Sequence, residues 1–110
     1  MTDIKIQEQE IATTIIHQLG KHFTTMTGAK NFLYGTSEKT GNVFISFQFP
    51  LCKEANRCNI ELTPDDTYHM RFGKYTAKTL DYKVTYELEG VYADMLQDVF
   101  TTYTGLDTYL

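Results

Sequence analysis

Tryptophan is absent from this chain of 110 residues, and cysteine and proline occur only twice each. Two thiols, Cys52 and Cys58, are too few for a disulfide framework. The five residues between them miss the short CxxC knuckle of structural zinc sites, so neither a metal nor any other cofactor is expected. No apolar run approaches the roughly 18 residues that read as a membrane span. The opening stretch, MTDIKIQEQE, has no apolar core of a signal peptide. The expectation is a cytoplasmic protein with free thiols. Positive charge is scarce as well: ten Lys and Arg stand against fourteen Asp and Glu. Up to Arg57 the chain holds six cations and five acids, and beyond it four and nine. Neither part carries the clustered excess of basic residues that an electrostatic nucleic-acid footprint needs.

What is present is an ordinary apolar fraction of 42% and a generous supply of Tyr and Phe, eight and seven. Both residue types favour pleated, half-buried positions. The length suits one domain over residues 1–110. Ile11, Ala12, Ile15, Ile16 and Leu19 line one face of a helix expected over 4–19, which Gly20 stops. Phe23–Met26 is short and β-prone. Val43, Ile45, Phe47 and Phe49 alternate with polar partners in the clearest strand, which Pro50 is expected to end. Residues 52–57 read as a loop. A hairpin follows over 58–72, turning at Pro64-Asp65-Asp66. Tyr82, Val84, Tyr86 and Leu88 alternate in a last strand. After Gly90 the period changes to 3.6, and a helical stripe runs from Val91 to Tyr103 until Gly105.

Consecutive strands joined by short turns imply an antiparallel sheet of about four to five strands. Each strand has one apolar face, and the two helices are the available cover. The fold class is therefore α+β, with the N- and C-terminal helices packed on one face of the sheet. The covered face should carry Val43, Ile45, Phe47, Ile60, Leu62, Met70, Phe72, Val84, Tyr86 and Leu88. The reverse face should carry Phe44, Ser46, Gln48, Asn59, Glu61, His69, Arg71, Lys83, Thr85 and Glu87.

Several local patterns invite a chemical reading, and each has a plainer one. Thr27-Gly28-Ala29-Lys30-Asn31 lacks the spacing of a phosphate-binding loop and reads as a turn or bulge. Asp65, Asp66 and His69 resemble an acid/base cluster, but Pro-Asp-Asp is what a tight turn uses for its own hydrogen bonds. No Ser lies in a nucleophile elbow. Tyr92 and Tyr103 fall at the edge of the last helical stripe, where tyrosines cap a core or meet a partner. The chain is not expected to be an enzyme.

Four segments taken together, Met26–Phe32 (MTGAKNF), Phe47–Pro50 (FQFP), Asp66–Lys74 (DTYHMRFGK) and Glu89–Leu106 (EGVYADMLQDVFTTYTGL), resemble a group of small proteins of bacteriophages and bacterial mobile elements. The chain departs from that group at Gly20-Lys21-His22, where its members are richer in glycine. The resemblance brings no catalytic residues with it. It implies an accessory protein that acts by binding a macromolecule, an inhibitor of a host defence system being one such role. The partner expected is a host or phage protein, met through Phe44, Gln48, Arg71 and Lys83 on the open face and Lys30 in the Gly-Lys turn. The alternative is a nucleic-acid-binding module using Lys21, Lys30, Arg71, Lys74 and Lys83.

Overall fold

A computed structural model of the chain describes residues 2–52, 55–76, 78–106 and 108, with backbone alone for 2–5, 51 and 52. The side chain of Cys52 and most of the tail after Leu106 thus lie outside the described residues. The elements are α1 (Thr2–Leu19), α2 (Phe23–Thr27), β1 (Lys30–Thr36), β2 (Val43–Cys52), β3 (Ala55–Leu62), β4 (Tyr68–Thr76), β5 (Asp81–Val91), a single 3₁₀ turn (Ala93–Met95) and α3 (Leu96–Thr104). The strands form one antiparallel meander in the order β1-β2-β3-β4-β5. This is the α+β architecture that the alternation and the two amphipathic stripes predict, with α1 and α3 on one face.

The core lies between that face and the helices. Ile15 and Leu19 of α1 meet Ile45 and Phe47 of β2, Ile60 of β3, Met70 and Phe72 of β4, and Leu96 and Phe100 of α3; all are fully or almost fully buried. Phe100 is the hub. Its ring centroid is 5.0 Å from Phe23, 5.2 Å from Phe49 and 6.0 Å from both Phe47 and Phe72. Edge-to-face and tilted pairs of this kind add about 0.5–1.5 kcal/mol each beyond the burial of their area. The two helices are also tied directly: Gln97 Nε2 donates to the Leu19 carbonyl at 2.7 Å, across 78 positions of sequence.

Four boundaries differ from the sequence expectation, each for a local reason. Phe23–Thr27 is a helical turn rather than a strand. The Thr27 hydroxyl donates back to the Phe23 carbonyl at 2.7 Å, and Gly28 closes the turn at φ 73°, a left-handed conformation favouring glycine. β2 continues through Pro50 to Cys52, and a register shift between Gln48 and Cys52 absorbs the missing N–H. β3 accordingly begins at Ala55, which moves Arg57 from the expected loop into the sheet. Val91 closes β5 instead of opening the last helix, leaving Tyr92 60% exposed.

A further difference, inside β5, matters most for function. Phe72 pairs with Tyr86, but the next residue, Gly73, pairs with Val84, so Thr85 is an extra residue on β5. Its hydroxyl donates to the Phe72 carbonyl at 3.2 Å. A bulge of this kind inverts the alternation beyond it. Tyr86 and Leu88 remain on the covered face. Val84, expected beside them, turns with Tyr82 to the open face, while Lys83 falls opposite Lys74 on the helix side, where both are exposed.

Candidate interaction face of the sheet

The open face is built from the second residue of each pleat. β2 contributes Phe44, Ser46 and Gln48, β3 contributes Arg57, Asn59 and Glu61, and β4 contributes His69, Arg71, Gly73 and Tyr75. β5 adds Tyr82, Val84 and Glu87, and β1 adds Leu33 at the far edge. Phe44, Gln48 and Arg71 thus stand where alternation placed them. Lys30 pairs with Gln48 at the β1 edge. Lys83 and Thr85 do not belong to this face, because of the bulge. Arg57, Tyr75, Tyr82 and Val84 do belong to it and were missed. Only Gly73 hinted at them, since glycine inside a strand marks a close approach of another group.

The charged groups at the centre of the face are paired with one another. Arg71 Nε donates to Glu87 Oε2 at 2.9 Å, and its Nη1 lies 3.5 Å from Glu61 Oε1. His69 Nε2 donates to the same Glu87 oxygen at 2.8 Å. Glu61 is 4% exposed and also accepts from the Thr40 hydroxyl and the Asn42 amide, both at 2.9 Å. Burial alone would push its carboxyl up, but the hydrogen bonds from Asn42, Thr40 and Arg71, with the charge of Arg71, outweigh it and hold the group below the ordinary range. The Arg71 hydrogen bond, helped by His69, does the same for Glu87. His69 is therefore engaged with Glu87 rather than with the Pro64–Asp66 turn. There Asp65 accepts from the hydroxyls of Thr63 and Thr67, and Asp66 takes φ 63°. The Asp-Asp pair serves the turn.

Two aromatic rings flank this centre. Phe44 lies over Gly35 of β1, and Tyr82 lies over Gly73 of β4. Around Tyr82 the face is unfinished. Arg57 sits 5.5 Å from the Tyr75 ring centroid, a cation–π distance. Its Nε and the Oδ1 of Asn59 are buried and have no hydrogen-bond partner among the described residues. A shallow depression of about 170 Å³ lies between Ser46, Arg57, Asn59 and Tyr82, and another of about 240 Å³ between Gln48, Asn56, Arg57 and Tyr75.

The remaining motifs resolve structurally. Gly28 caps α2, and Asn31 at φ 56° forms the irregularity at the start of β1. Cys58 is 1% exposed in the core, and burial pushes its thiol up strongly. Among the described residues no group of three or more His, Cys, Asp or Glu converges as metal ligands would. Among the described residues no helix is long and apolar enough to cross a membrane. No family model matches the chain, and neither a curated protein nor a solved structure gives a match.

Proposed function

We propose that the protein is a non-enzymatic accessory protein that acts in the cytoplasm of a host cell by occupying the surface of another protein with the open face of its sheet. The observation that carries this reading is the displacement of Tyr82 and Val84 onto that face, where they are 45% and 43% exposed beside Arg57. Half-exposed apolar side chains next to an arginine with an unpaired Nε resemble the centre of a protein interface, where Tyr and Arg are enriched. Two of the cations named for a nucleic-acid role argue against it. Arg71 is held by Glu61 and Glu87, and Lys83 lies on the other side. The likeness of the MTGAKNF and EGVYADMLQDVFTTYTGL segments to mobile-element proteins suggests that the target belongs to the host, a defence component being the leading class.

The test is quantitative capture from host lysate at physiological salt with the wild-type protein and with Tyr82→Glu and Arg57→Ala. A specific protein retained by the wild type and lost from both variants supports the proposal. Capture of no specific protein, or undiminished capture by both variants, sinks it. Retention of DNA or RNA that weakens steeply with salt would favour the nucleic-acid alternative.

A further inference from the structure

Buried polar atoms without a partner are rare in folded proteins and cost about 1–3 kcal/mol each. Of the three such side-chain atoms among the described residues, two are Arg57 Nε and Asn59 Oδ1. They belong to alternate residues of β3, on the open face, and both side chains line one depression of about 170 Å³ with Ser46 and Tyr82. One atom is a donor and the other an acceptor. Each residue has one small cross-strand neighbour, Gly73 beside Arg57 and Ser46 beside Asn59, which leaves room above the strand. The face of the Arg57 guanidinium is engaged by the Tyr75 ring at 5.5 Å, and its Nε–H edge is left for another group.

We infer that Arg57 and Asn59 form a subsite for a carboxamide group, supplied by an asparagine or glutamine side chain of the partner protein; the source of that group rests on the protein-binding role proposed above. A carboxamide carries on one plane the carbonyl oxygen that the Arg57 Nε–H addresses and the N–H that Asn59 Oδ1 accepts. A carboxylate satisfies the donor but sets an anion against Oδ1. An ammonium satisfies the acceptor but is repelled by the guanidinium. A nucleobase edge has the same pairing pattern, yet it arrives with phosphates, and the neighbouring cation Arg71 is already held by Glu61 and Glu87. Because both atoms are buried, a cover has to move before the group enters. Tyr82 is placed to be that cover: it lines the depression, the tip of its ring lies over Gly73, and it is 45% exposed. Swung outward, the ring is free to lie on the flat face of the inserted amide.

The experiment is a heteronuclear NMR titration of the whole chain with three probes of one shape, benzamide, benzoate and benzamidinium. Benzamide should bind saturably, with a Kd on the order of 1 mM, and shift the Arg57 Nε–H and Asn59 side-chain resonances. Benzoate and benzamidinium should each bind about tenfold more weakly, because each leaves one buried atom without a partner. Asn59→Leu removes the acceptor at similar volume and should abolish the preference for benzamide over benzoate. Benzamide that fails to bind up to about 50 mM overturns the inference, as does a wild type that takes benzoate equally well. Adenosine bound more tightly than benzamide overturns it in favour of a nucleobase. The subsite and the proposed function fail separately. A wild type that captures a host protein but ignores benzamide sinks the subsite alone, and one that binds benzamide but captures no protein sinks the proposed function.

Discussion

The ring of Tyr82 lies over Gly73 so closely that a Cβ there would come within 2.6 Å of it. The two residues are brought together by the extra residue Thr85, which carries the last strand across from one face of the sheet to the other. Gly73 leaves the room that Tyr82 occupies, and Tyr82 covers backbone that Gly73 would otherwise expose.

Gly73→Ala is accordingly expected to change recognition more than stability. Gly73 has an ordinary strand conformation, and the atoms in the way are the far end of a half-exposed side chain that can swing outward. The loss of ring contacts and the gain from replacing glycine in a strand are each about 1 kcal/mol or less. Chemical denaturation should show a change within about 1 kcal/mol, and the change should be strongly non-additive with Tyr82→Ala.

Glu61 should make the fold acid-sensitive. Its carboxyl is held below the ordinary range in the folded state, so its contribution is complete above the unfolded value and is lost as pH falls through the lower, folded one. Glu61→Gln removes the charge that Arg71, Thr40 and Asn42 address. It should cost about 2 kcal/mol at pH 7, in the range for hydrogen bonds to a charged group, and progressively less as the pH is lowered through the carboxylate range. Urea denaturation across that interval checks both the size and the sign.

Phe100→Ala should be the most damaging single change in the core. The ring contacts four other phenylalanines drawn from α2, β2 and β4. Truncation at such a site costs about 3–5 kcal/mol, against a total stability of roughly 5–15 kcal/mol for a domain of this kind. A fall in melting temperature of more than about 15 °C, or failure to fold, is the expected result.

Cys58 should be inert to thiol reagents until the sheet opens. It is buried between Phe47 and Phe72 in the ladder, and its thiol is pushed away from the reactive thiolate form. Labelling with a maleimide, followed by peptide mass spectrometry, should find Cys58 unmodified in buffer and fully modified in denaturant.

The layered α+β plan was legible because it rests on periodicities that burial enforces. Ile45, Phe47, Ile60, Met70 and Phe72 are buried where alternation placed them, and Ile15 and Leu19 where the helical stripe did. The open face was legible in its centre, at Phe44, Gln48 and Arg71, and illegible at β5. There Tyr82, Val84, Tyr86 and Leu88 keep a regular period of two through a bulge that reverses their direction, so no gap in the pattern marks it. Arg57 was hidden for a different reason: Pro50 suggests the end of a strand, yet a register shift lets β2 carry it. Phe23–Thr27 shows local propensity yielding to a side-chain bond and a glycine cap.

The clasp between Gln97 and Leu19 has a consequence for how the chain is made. Each strand of the meander can zip to its predecessor as soon as both have left the ribosome, since every pairing joins neighbours in the chain. α1 emerges before the strands, but its seat is completed only when α3 arrives, 78 positions later along that bond. Until then the isoleucine and leucine stripe of α1 must wait with part of its pocket missing, and nascent chains ending before Leu96 should remain open to proteolysis.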